Sequence, residues 1–148
     1  MGAKQMRILL ADDDPDESLL FKDALDTLNI PYHFSLAEDG SMLISMLKAP
    51  HFKPDIIFLD LNMPGKSGRD CLVEIRRDER FNSIPVIIYS TSSHPKDVDE
   101  CYKGKANMYA VKCSSFSSLV KLLQTIFHFP SERLLSPVKD KFIVNMAM

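Results

Sequence analysis

Asp12 and Asp13 sit at the end of a short apolar run, and Asp60 ends another. Ser90 and Thr91 end a third run, and Lys112 ends a fourth. Three carboxylates brought together suit a hard cation, which takes oxygen ligands. A hydroxyl and an ammonium group beside them would donate to an oxyanion. This chemistry needs a fold that carries four distant chain positions to one place.

The first of these positions lies in "LLADDDPDES", which crowds Asp12, Asp13, Asp14, Asp16 and Glu17 into six positions. Like charges this close repel, the more so where water is scarce. A cation site and a solvated turn with a helix cap are both open readings, and they divide the cluster. Asp12 and Asp13 lie at the strand end and suit the cation. Asp14 precedes Pro15, the pattern of an N-cap followed by proline at the first helical position. Asp16 and Glu17 fall in the first helical turn, where the macrodipole favours negative charge.

The elements that must position these groups are legible as an alternation. Met6–Ala11, Tyr32–Ala37, Asp55–Leu59, Pro85–Tyr89 and Asn107–Val111 read as short strands. Between and after them, Pro15–Leu28, Gly40–Leu47, Arg69–Arg77, Pro95–Lys103 and Phe116–Phe127 carry helical spacing. On the first helix the apolar positions are Leu19, Leu20, Ala24 and Leu28. Uninterrupted apolar strands alternating with helices predict a parallel sheet covered on both faces. Right-handed crossovers then make it an open, doubly wound (βα)5 fold. Ligands of such sheets bind beyond the carboxyl ends of the strands, which is where the acidic set, the hydroxyl pair and the lysine fall.

The 148 residues fit one domain, and 45% hydrophobic with 26% charged residues is ordinary for a globular protein. A net charge of -2 gives no global basic field for nucleic acid. Cys71, Cys101 and Cys113 are odd in number and far apart, with no C-x-x-C, so reduced thiols in a cytoplasmic protein are expected. No signal peptide and no membrane span are expected. "MGAKQM" opens like a myristoylation site but has Met6 where Ser or Thr is needed.

The motifs "LLADDDP", "IIFLDLNMPGKSG", "PVIIYSTSS" and "MYAVKCSSF" together resemble the receiver domain of two-component response regulators, the CheY-like family. The resemblance runs from about Arg7 to Phe129. It implies a flavodoxin-like sandwich with strand order 2-1-3-4-5. The short, single-domain build also resembles the stand-alone regulators that partner bacterial phytochrome kinases.

The resemblance implies roles residue by residue. Asp60 matches the phosphoacceptor. Asp13, Asp60 and the backbone carbonyl of Asn62 match the direct ligands of Mg²⁺, and Asp12 the ligand acting through a water. Lys112 matches the lysine that pairs with a phosphate oxygen. Ser90 matches the switch hydroxyl, with Thr91 the competing candidate, and Tyr109 the aromatic that changes rotamer with it. Asn62 and Ser92 stand where neighbours of the acceptor tune its rates. The implied partner is a sensor histidine kinase or a phosphotransfer protein, and the implied activity is self-catalysed phosphotransfer with slow autodephosphorylation.

Cys113 departs from the family, which usually has proline after the lysine, often in a cis bond. A non-proline cis bond costs about 2.5–4 kcal/mol, so a trans bond is expected here. A redox role for Cys113 would want a resolving cysteine, and none is near in sequence. Asp12, Asp14 and Asp16 have EF-hand spacing, yet Glu17 stands where that loop needs Gly and Asp23 where it needs Glu. "PGKSG" has the end of a phosphate-binding loop, but Asp60 occupies its first Gly position. His33, His51, His94 and His128 show no ligand spacing.

The last helix carries Phe116, Leu119, Val120, Leu123, Ile126 and Phe127 on one stripe, widened by Leu122 and Phe129. This exceeds what one core contact needs. The expected division is residues 1–129 as receiver and 130–148 as an extension with no output domain. The tail residues Phe142, Ile143, Val144 and Met146 suit a local cover or a partner. The resemblance implies a homodimer through the fourth helix, fifth strand and fifth helix. Two rival functions remain from the sequence. An aspartate-nucleophile phosphatase wants a second Asp where Asn62 stands. A pseudo-receiver, a binding platform that is never phosphorylated, would not need the intact acidic set and lysine.

Overall fold

Parallel strands and helices alternate through most of the chain, as a computed structural model shows for residues 5–128 and 142–145. In chain order the elements are β1 (Met6–Ala11), α1 (Pro15–Asp26), β2 (Tyr32–Ala37), α2 (Gly40–Lys48) and β3 (Ile56–Leu59). They continue with α3 (Gly68–Arg77), β4 (Val86–Ser90), α4 (Pro95–Lys103), β5 (Met108–Val111), α5 (Phe116–His128) and β6 (Ile143–Val144). All strand pairs are parallel, in the order β2-β1-β3-β4-β5-β6. The expected order 2-1-3-4-5 is present and is extended by one strand that the sequence reading did not contain.

Every residue of β3, β4 and β5 is buried, as expected for strands covered on both faces. Alternate side chains feed two layers. Leu9, Ile57, Ile88 and Tyr109 pack against α2, α3 and α4 through Leu43, Leu72 and Cys101. Ile8, Leu10, Phe58 and Ile87 pack against α1 and α5 through Phe21, Leu25, Leu119 and Leu122.

The cap reading of α1 holds in detail. Asp14 accepts the backbone N–H groups of Asp16 and Glu17, with Pro15 at the first helical position. The buried face differs from the expected one. Ser18, Phe21, Ala24 and Leu25 face the sheet, whereas Leu19 and Leu20 are exposed. Each residue turns a helix by about 100°, so docking on Phe21 swings both leucines outward. The Phe21 ring meets Phe58 and Tyr89 edge-on, at 5.0 and 5.6 Å between centroids, an arrangement that aromatic pairs prefer.

The C-terminal segment returns to the sheet. The backbone N–H of Tyr109 donates to the carbonyl of Phe142 at 2.9 Å, and Tyr109 and Ala110 pair with Ile143 and Val144. Phe142 is 1% exposed and sets its ring against Tyr102 and Tyr109. Phe129, Met146 and the expected boundary between residues 129 and 130 lie outside the described residues.

Candidate functional site

The sheet registers bring the chemical residues into one row. Asp12 N–H bonds the carbonyl of Ala37, Asp60 N–H that of Ala11, and Lys112 N–H that of Ser90. Adjacent parallel strands β1, β3, β4 and β5 therefore end side by side. Asp12, Asp60 and Ser90 sit there at 1%, 6% and 0% exposure. Asp13, one residue beyond Asp12, is exposed at the rim.

Asp12, Asp13 and Asp60 each offer a carboxylate oxygen within 4.8 Å of the others. Held together without a counter-charge, such groups repel, and burial pushes Asp12 up to about 7, although the Asp14 N–H and Lys112 pull it down. An all-oxygen set with excess negative charge fits a hard divalent cation.

Lys112 crosses the row from β5. Its Nζ lies 3.1 Å from Asp60 Oδ2 and 3.2 Å from Asp12 Oδ2, and it also contacts Glu17. The ammonium stands 5.2 Å from the centre of the Tyr89 ring. Burial alone would lower this lysine, but Glu17, Asp60 and Asp12 hold it above its ordinary range. Among the described residues no peptide bond is cis. The trans bond before Cys113 thus still lets Lys112 reach the row.

The loop after Asp60 is fitted closely to it. Asn62 N–H donates to Asp60 Oδ1 at 3.1 Å, leaving the other carboxylate oxygen to Lys112. Gly68 N–H returns to the Leu61 carbonyl at 3.0 Å. A Cβ on Gly68 would lie 2.1 Å from the Asp60 carbonyl oxygen, so only glycine lets α3 start this close to the end of β3. Gly65, at φ +71, makes the turn.

On the other side of Asp60, Ser90 Oγ accepts the N–H of Ser92 at 3.2 Å. Thr91, the competing hydroxyl, is exposed. Tyr109 is fully buried and donates its hydroxyl to the Ser92 carbonyl at 2.8 Å. Ser92 Oγ donates to Asp97 at 2.6 Å, and Arg69 of α3 donates to the same carboxyl group at 2.6 Å. The loop after Ser90 is thereby tied to β5, α4 and α3 at once.

Two participants escaped the sequence reading. The sequence places Glu17 only in the field of the helix macrodipole, yet its side chain contacts Lys112 as well. Its place in the first turn after the acidic pair was the available signal. The Ser92–Asp97–Arg69 chain depends on how α3 packs beside α4, and no sequence spacing announces it.

Comparison with known proteins meets this geometry independently. Residues 8–124 match the family model described as the response regulator receiver domain. Response regulator Rcp1 of Synechocystis sp. is 32% identical over 137 residues, spanning 88% of this chain and 92% of that protein. Among solved structures, the phosphorylated cyanobacterial phytochrome response regulator RcpA superposes with a TM-score of 0.80 at 31% identity, covering 85% of this chain and 94% of that one. The Mn²⁺-bound form of Rcp1 gives a TM-score of 0.76 at 31% identity, covering 90% and 96%.

Proposed function

This chain belongs to the response regulator receiver domain family, and from that premise we propose that it is a single-domain response regulator, phosphorylated on Asp60 by a histidine kinase. The observation that carries the proposal is the convergence of Asp12, Asp13 and Asp60 with Lys112 at one end of the sheet.

An Asp60 oxygen attacks the phosphorus of a phosphohistidine donor. The P–N bond breaks with its electron pair left on the imidazole, and an acyl phosphate forms. Transfer of this kind depends mainly on positioning and charge neutralisation. Asn62 N–H orients one Asp60 oxygen. Lys112, already 3.1 Å from the other, pairs with the phosphoryl oxygens as a point charge. Asp13, Asp60 and the Asn62 carbonyl would hold Mg²⁺, with Asp12 acting through a water, and the bound ion would offset the charge gathered on the carboxylates and the phosphoryl group.

The output is a change of surface. Ser90 turns its hydroxyl to donate to a phosphoryl oxygen and gives up the Ser92 amide it accepts at rest, which disturbs the loop that holds Tyr109. Asn62 and Ser92 flank the acceptor and tune how long the phosphoryl group lasts. The chain is a signalling domain rather than a turnover enzyme, with a phytochrome-type sensor kinase as the donor class suggested by the RcpA and Rcp1 likeness. We place it in the cytoplasm, with no direct nucleic-acid contact. A homodimer through α4, β5 and α5 would include Phe142–Val144, since β6 lies on that side of β5.

Incubation with acetyl phosphate and Mg²⁺ followed by intact mass tests the proposal. One added phosphoryl group, absent from Asp60→Ala, is expected. No adduct with any donor would overturn it in favour of an unphosphorylated binding platform.

A further inference from the structure

Lys112 meets one more carboxylate than this chemistry uses. Asp12 and Asp60 are partners whose charge a bound cation would also offset, but Glu17 is not part of the acidic set that converges on one point. The three differ in their freedom to leave. The carboxylate side chains of Asp12 and Asp60 are 0% and 8% exposed, whereas Glu17 is 36% exposed. Glu17 and Lys112 both line a cleft of about 240 Å³, together with Leu20, Tyr89 and Cys113. A Glu17 carboxylate turned into that cleft returns to water without burying a charge. A carboxylate left on Lys112 contests the ammonium with any incoming oxyanion.

We propose that Glu17 is the resting counter-ion of Lys112, a positioning residue that holds the ammonium until the phosphoryl group displaces it and so slows phosphorylation. The inference rests on the reading of Asp60 as acceptor. It gives α1 a part in the transfer rate beyond carrying the acidic pair's helix. The backbone of Glu17 is held by the Asp14 cap, so replacing the side chain leaves the start of the helix intact.

The test compares labelling rates by acetyl phosphate at saturating Mg²⁺ in the wild type, Glu17→Gln and Asp16→Asn. Asp16→Asn removes the same charge one residue earlier, from an exposed side chain in the same helical turn. Glu17→Gln is expected to label about threefold faster, the size of a partly exposed ion pair removed, with Asp16→Asn close to wild type. A wild type labelled on Asp60 with Glu17→Gln unchanged or slower, or with an equal gain in Asp16→Asn, overturns the inference alone. A wild type that takes no phosphoryl group overturns the acceptor reading, and this inference with it.

Discussion

The hydroxyl of Tyr109 donates to the backbone carbonyl of Ser92 at 2.8 Å, which joins the buried aromatic of β5 to the loop that leaves Ser90. A ring held this way responds when the loop moves. On phosphorylation, the Tyr109 ring resonances of the wild type are expected to shift. In Ser90→Ala they should stay at their unphosphorylated positions while intact mass confirms the adduct. A Tyr109 that still responds fully in that variant would sink the coupling. Tyr109→Phe should lose about 1 kcal/mol of stability in urea, the net value of one hydrogen bond.

Asp12 makes the metal-free protein sensitive to pH. Its ordinary value of 3.8 rises to about 7 in the fold because it is buried. Between these values the folded state holds a proton that the unfolded chain has released. The Asp12 contribution to stability is therefore full below pH 4 and is lost as pH rises through 7. Urea unfolding in chelator from pH 4 to 8 should show this decline, and Asp12→Asn should flatten it. A decline of the same size in Asp12→Asn would refute the assignment.

Added Mg²⁺ should raise the melting temperature of the wild type, since a ligand bound only by the folded state contributes about 2.7 kcal/mol at one hundred times its dissociation constant. Asp13→Asn removes a carboxylate exposed at the rim, a metal ligand under the proposal, so it should unfold near the wild type in chelator yet gain little from Mg²⁺. Differential scanning calorimetry with and without the ion decides this.

The three thiols should react in a fixed order. Cys71 and Cys101 are buried, which pushes them up to about 11 and about 12. Cys113 is partly exposed beside Lys112. Iodoacetamide should modify Cys113 first in the native protein, on the order of tenfold faster or more, because accessible thiolate sets the rate. Peptide mapping would show the reverse order if the packing of α3 or α4 were different.

Much of the site could be read from the chain because parallel strands start and stop together. Once Met6–Ala11, Ile56–Leu59, Val86–Ser90 and Met108–Val111 lie side by side, the residues at their ends must meet. Asp12, Asp60, Ser90 and Lys112 needed only that rule. Glu17 needed the rotation of α1 about its own axis, and apolar spacing favoured Leu19 and Leu20 over the stripe through Phe21. The β6 strand was illegible for another reason. Two residues give no period, and its partner Tyr109 lies far back in the chain.

That short strand changes what the sheet presents to other molecules. All four residues of β5 are buried, so a β5 left bare would offer an apolar ladder with unpaired amides. Exposed edges of this kind recruit strands from neighbouring chains and seed aggregates. Phe142–Val144 closes off the amide of Tyr109 and replaces a four-residue template by a two-residue one. A chain cut before Phe142 is therefore expected to fold around the same acidic site yet self-associate as its concentration rises.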